Sequence, residues 1–224
     1  MARFNRLEVY QRFLDEGLVP IFHHGDPETT CRVVAAIAEG GATVCEFTNR
    51  GDQAIEAFRV AAAHASRHLP RMILGAGSIV DDSTAALYIA QGANFIVGPS
   101  YSERVARLCN RRRIAYIPGC QTATEIATAE ELGVEIVKLF PARAVGGADF
   151  IKQILGPCPA TRLLPTSIGE VSVEALAAWF KAGACGVGLG GELIQAARIA
   201  AGDFDGIARR VVEIREMVRQ ARGG

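Results

Sequence analysis

No run in these 224 residues approaches the roughly 20 uninterrupted apolar positions that a membrane-spanning helix needs. The opening stretch, MARFNRLEVYQRFLDEG, lacks the apolar segment and small-residue cleavage site of an export signal and reads instead as an amphipathic helix. Net charge is missing too. With 24 basic residues against 24 acidic ones, neither nucleic acid nor an anionic membrane is an expected partner. The densest basic run, NRRRIAY, suits the end of a helix, where cations meet the negative end of the dipole. No C-x-x-C links the six cysteines (Cys31, Cys45, Cys109, Cys120, Cys158 and Cys185), so they are expected to be reduced thiols serving as small hydrophobes in the cytoplasm. Neither His23–His24 nor His64–His68 has a third ligand near it in sequence, so neither a metal nor another cofactor is expected.

What is present is alternation. Strand candidates are LVPIF (18–22), TVCEFT (43–48), MILGAG (72–77), NFIVGP (94–99), AYIPG (115–119), EIVKLFP (135–141), RLLPT (162–166) and CGVGLGG (185–191). Helical patterns lie between them, with Asp52, Ser102 and Thr122 as candidate caps and Glu125 completing a capping box with Thr122. Four times a helix ends in glycine and leads straight into a strand: EGGATVCEF, QGANFIVGP, ELGVEIVKLF and KAGACGVGLG. Strict alternation implies parallel strands with right-handed crossovers. Eight such units predict an α/β fold, a (β/α)8 TIM barrel with an N-terminal helix, in one domain spanning 1–224. A doubly wound open sheet is the rival. No G-x-G-x-x-G opens the first strand–helix turn, which weakens a dinucleotide-binding version of it.

In a barrel, reacting groups come from the C-terminal strand ends. Side chains alternate along a strand, so Ile136, Lys138 and Phe140 share one face of 135–141, and Val44, Glu46 and Thr48 share one face of 43–48. If those faces point inward, the outward ones (Val137 and Leu139; Cys45 and Phe47) are apolar, as packing against helices requires. The reverse would press both charges into the helix layer. Lys138 and Glu46 are therefore expected to meet in one cavity, with Arg50, Ser78 and Thr166 at neighbouring strand ends. A structural Lys–Glu pair is the bland alternative, although buried pairs are undependable stabilisers. Apolar neighbours such as Ile136, Phe140 and Leu74 would favour the free amine, and direct contact with Glu46 would oppose it. The two are accordingly expected to be separated by a water or the substrate rather than held in a tight ion pair.

At these residues the chain resembles the 2-keto-3-deoxy-6-phosphogluconate / 4-hydroxy-2-oxoglutarate aldolase family of class I aldolases. The likeness runs from about Leu18 to Ile194 through CEFTNRGD, LGAGSIVDDSTAALYIAQGANFIVGP, IPGCQTATEI, EIVKLFPA and FIKQILGP. It implies a homotrimeric barrel in which Lys138 forms a Schiff base and Glu46 shuttles protons. It also implies Arg50 and Thr166 near a pyruvate carboxylate, with Ser78 and Pro99 lining the pocket; Phe140, on the Lys138 face, is expected to join them as an apolar wall. The implied ligands are a keto acid (pyruvate) and an aldehyde.

Two stretches depart from the family pattern. Where phosphate-using members carry Thr-Gly-Gly, this chain has Thr166, Ser167 and Ile168. Where Gly-Ser and a neutral or basic residue are common, it has Gly190, Gly191 and Glu192. A β-branched side chain restricts a backbone cradle, and a carboxylate repels an anion. The expected reaction is thus cleavage to pyruvate and an aldehyde that is not phosphorylated, 4-hydroxy-2-oxoglutarate being one candidate substrate. Arg143 is read as a surface residue, with an anion contact as the alternative. Rival readings are a barrel isomerase or decarboxylase without a covalent intermediate, and a degenerate barrel serving as a binding module.

Overall fold

A computed structural model describes residues 2–223. Helix α1 (Arg6–Glu16) begins at a capping box between Asn5 and Glu8 and ends at left-handed Gly17. Parallel strands and helices then alternate: β1 (Leu18–Phe22), α2 (Pro27–Glu39), β2 (Val44–Thr48), α3 (Ala54–His68), β3 (Ile73–Gly77), α4 (Asp82–Ala90), β4 (Phe95–Val97), α5 (Glu103–Arg112), β5 (Ala115–Ile117), β6 (Gly119–Cys120), α6 (Ala123–Glu131), β7 (Val137–Leu139), α7 (Gly147–Leu155), β8 (Leu163–Pro165), α8 (Val173–Lys181), β9 (Val187–Leu189), α9 (Ala196–Ala200) and α10 (Phe204–Ala221). Ser102 and Thr122 cap α5 and α6 as expected. Asp52 does not cap α3, whose N-cap is Gln53 with no side-chain bond. Arg111 and Arg112 occupy the last turn of α5. In the four helix-to-strand junctions, Gly41, Gly92, Gly133 and Gly183 all hold positive φ, between 76° and 102°. A side chain there would be strained, so the repeat marks a shared turn.

The ladders divide into a six-stranded sheet, order β5-β4-β3-β2-β1-β9, and a three-stranded one, β6-β7-β8. Among the described residues, nine short strands in two sheets stand where eight in one ring were expected, β5 and β6 both beginning within the single expected run 115–119. Pro118, which has no N–H to give to a ladder, separates β5 from β6. On the other side a single parallel bridge, Thr166–Gly188, joins the end of β8 to β9. Several strands are shorter than their apolar runs; β7 covers only Val137–Leu139 of 135–141.

Two apolar layers follow. The larger lies between strands and helices and includes Cys45, Phe47, Val137 and Leu139, as alternation requires. The smaller lines the inner strand faces with Val19, Val44, Ile73, Phe95, Ile117, Ile136 and Leu164, and α1 inserts Val9, Tyr10 and Phe13 into it. Phe13 meets Phe95 edge-on at 5.0 Å. Leu74 belongs to the helix-side layer, so it does not wall Lys138. It pairs in register with Cys45, whereas Gly75 pairs with Glu46. All six thiols are free, with Cys45, Cys109 and Cys120 buried. Among the described residues, no helix is long and apolar enough to cross a membrane.

Candidate active site

Parity along β2 and β7 sets the centre of the site. Glu46 and Lys138 project to the inner side and are 2% and 8% exposed. Lys138 Nζ lies 3.8 Å from Glu46 Oε1, too far for a hydrogen bond. They form a long ion pair without a hydrogen bond, and at this distance no water fits between them, so the water- or substrate-separated arrangement expected is not what is seen. The lysine also lies 5.1 Å from the Phe140 ring centroid. Glu46 Oε1 is fully buried without a hydrogen-bond partner, and so is Thr166 Oγ1 at the end of β8. Unpartnered polar atoms of this kind are costly, and those at one site mark a place shaped for something that will bind them.

Glycines make the room. A Cβ at Gly77 would fall 1.9 Å from Glu46 Oε1, and one at Gly188 would fall 2.5 Å from Thr166 Cγ2. Desolvation raises the Glu46 pKa, while the charges of Lys138 and Arg50 oppose the rise. Burial therefore favours a carboxyl that holds its proton more readily than an exposed one does.

These groups open into a cavity of about 450 Å³ at the C-terminal strand ends. Arg50, Ser78, Pro99, Phe140 and Thr166 line it, together with Ser167, Gly190, Gly191 and Glu192. Ser167 holds φ 59°, a backbone region better suited to glycine. Ile168 is a correction: its side chain is 5% exposed and packs in the helix-side core, so it does not face the cavity. Arg143 is exposed and lies against Gly169, where an added Cβ would meet the arginine side chain at 2.8 Å.

Sequence reasoning overlooked His23 as a lining group and set Thr48 on the inward face without naming it for the site. The signal existed. His23 follows β1 with the parity of the inward positions, but weighing it as half of a metal pair hid its place at a strand end. The close approaches that require Gly77 and Gly188 were not anticipated either. Among the described residues, no three His, Cys, Asp or Glu side chains gather as metal ligands. A wider groove of about 1050 Å³ lies beside α1 and α10, with Arg12, Arg71, Arg215, Arg219 and Arg222 on its walls. Several of these are engaged with the protein itself: Arg12 with Thr43, Arg219 with Glu216, and Arg222 with the carbonyls of Leu14 and Asp15.

The family model for KDPG and KHG aldolase matches residues 9–210. The chain is 33% identical to the 2-dehydro-3-deoxy-phosphogluconate aldolase of Treponema pallidum, covering 84% of this chain and 86% of that one. It is 31% identical to the KHG/KDPG aldolase of Escherichia coli K12, covering 88% and 91%. A solved KDPG aldolase from Legionella pneumophila, in which pyruvate is captured as a covalent carbinolamine, superposes with a TM-score of 0.82 over 91% of this chain and 96% of that one. At 24% identity, that last likeness speaks for the fold.

Proposed function

Because the chain belongs to the KDPG and KHG aldolase family, we propose that it is a class I aldolase releasing pyruvate and an aldehyde through a Schiff base on Lys138. The amine adds to the C2 carbonyl of a 2-keto acid, and the carbinolamine loses water to give a protonated imine. Glu46 takes the proton of the C4 hydroxyl as the C3–C4 bond breaks. The electron pair of that bond moves into a C2–C3 double bond, neutralising the iminium nitrogen, and C4 leaves as the aldehyde. The enamine then accepts a proton at C3, and hydrolysis returns pyruvate and the free amine.

One observation carries this reading. A buried lysine stands 3.8 Å from a buried carboxylate oxygen that has no hydrogen-bond partner, and both face one cavity. Arg50 and the unpartnered Thr166 hydroxyl suit the pyruvate carboxylate, with Ser78, Pro99 and Phe140 as walls. The two sheets are read as one ring of eight strands in a single domain, counting β5 and β6 together. Assembly as a homotrimer follows from the resemblance, and a cytoplasmic location is proposed from the six free thiols.

The aldehyde half is proposed to be unphosphorylated, 4-hydroxy-2-oxoglutarate remaining a candidate substrate. With Ile168 turned into the core, this rests on exposed Glu192 at the cavity and on the side chain that Ser167 adds there. A carboxylate repels a phosphate dianion.

Borohydride reduction in the presence of pyruvate, followed by peptide mass analysis, tests the chemistry. The expected product is a pyruvate adduct at Lys138. Turnover without an adduct would support an isomerase or decarboxylase, and failure to bind keto acids would support a binding module. Turnover of phosphorylated and unphosphorylated 2-keto-3-deoxy acids, measured side by side, tests the substrate. A strong preference for the ester would defeat that part.

A further inference from the structure

The imidazole of His23 lines the cavity without a part in the lysine chemistry, and one hydrogen bond fixes what it offers a ligand. Its Nδ1 lies 3.1 Å from the backbone oxygen of Thr48. A carbonyl oxygen only accepts, so Nδ1 carries the proton in that contact. In the neutral ring, Nε2 is then a lone pair and nothing else. The ring is further held against Phe47, centroid to centroid at 5.8 Å. It therefore ties the ends of β1 and β2 together, with Nε2 as the ring nitrogen left for a ligand.

We propose that His23 is a specificity-determining residue that accepts a hydrogen bond from a hydroxyl of the aldehyde half, so that the preferred substrate is an unphosphorylated 2-keto-3-deoxy acid bearing distal hydroxyls. The inference rests on the aldolase reading above and narrows it. Another polar group of the lining points the same way: Glu192, in the same cavity, accepts hydrogen bonds and donates none when ionised. These two acceptors complement a hydroxyl and oppose a carboxylate or phosphate, whose oxygens bring them only further lone pairs. Burial, with the charges of Arg50 and His24 and against the Thr48 hydrogen bond, lowers the His23 pKa below its ordinary value, which favours the neutral ring. The remaining wall here, Ile194 and Ile199, offers apolar contact to a carbon chain. Among the family's two name-giving substrates, one carries a phosphate and the other a second carboxylate, so this rim suits neither.

The test compares kcat/KM for 2-keto-3-deoxygluconate with kcat/KM for 4-hydroxy-2-oxoglutarate in the wild type, His23→Leu and His23→Gln. The wild type is expected to favour the hydroxylated acid. Leucine, which accepts nothing, should lower that preference about tenfold, the scale of one neutral hydrogen bond to substrate. Glutamine, whose amide oxygen can accept, should restore most of it. Pyruvate trapping at Lys138, which involves no aldehyde half, is measured on all three proteins. Adducts on all three with a preference that does not move would overturn the role of His23 and leave the lysine chemistry standing. A preference that moves without any adduct would support His23 and overturn the Schiff base. A wild type that favours 4-hydroxy-2-oxoglutarate, or cleaves neither acid, would overturn the proposal.

Discussion

Replacing Gly77 with alanine adds one methyl group against the Glu46 side chain and should separate packing from chemistry. The new Cβ would lie 1.9 Å from Glu46 Oε1, 2.5 Å from its Cδ and 2.8 Å from its Cγ. An ordinary contact needs about 3.4 Å, so the carboxylate must retreat by roughly 1.5 Å. Turning the carboxyl alone is not enough, because Cγ is also too close. Gly77 has no positive φ, so backbone strain does not enter. Overpacking of this kind costs about 1–3 kcal/mol of stability, and a displacement of 1 Å or more at a reacting group lowers kcat by about 100-fold. A coupled pyruvate assay gives kcat, urea unfolding gives the stability, and borohydride trapping shows whether Lys138 still forms the imine. The expected outcome is a folded protein that traps pyruvate but turns over about 100-fold more slowly. A folded variant with kcat within about threefold of the wild type would refute the placement of Glu46 as the working carboxylate.

Lys138→Met should abolish the adduct and lower kcat by at least about 10⁴-fold, since the nucleophile itself is gone; stopped-time product analysis checks it. Glu46→Gln bears on pH. The folded-state pKa of Glu46 is raised above its ordinary value of 4.5 by burial, so the stability it contributes is fully present below that value and is lost as pH rises through the folded pKa. The stability of the wild type relative to Glu46→Gln should therefore fall as pH climbs from about 4.5, and urea unfolding at a series of pH values would contradict this if the difference stayed flat or grew. Glu192→Gln removes a repulsive charge at the rim and should raise kcat/KM for a phosphorylated 2-keto-3-deoxy acid by about three- to tenfold at low salt, with the gain shrinking in 0.5 M salt, roughly where screening is short-ranged.

How much of this was written in the sequence depends on the kind of signal. Lys138 and Glu46 were placed by period-two alternation because each strand has one apolar face and one face with a charge. In β3 both faces are apolar or glycine, so nothing in the pattern shows that Gly75 and Gly77 turn inward and Leu74 outward. The register with Cys45 and Glu46 decides it, and register is a property of two strands. Ile168 was placed by the family pattern and not by alternation, since it lies beyond the end of β8, where the strand no longer sets which way a side chain turns. The four junction glycines were legible because one residue type alone tolerates that backbone. Strand lengths were overread, since an apolar run continues past the point where neighbouring ladders stop overlapping.

Helix α1, with Phe13 seated on Phe95 and Tyr10 beneath the inner strand faces, stoppers the end of the strands remote from the cavity. Traffic to Lys138 then has to use the opposite doorway. On the proposed chemistry the three-carbon unit remains tethered in the deep seat while its companion occupies the approach. Departure is thereby sequential, aldehyde first and pyruvate last, and condensation run backwards must admit pyruvate before any aldehyde can follow.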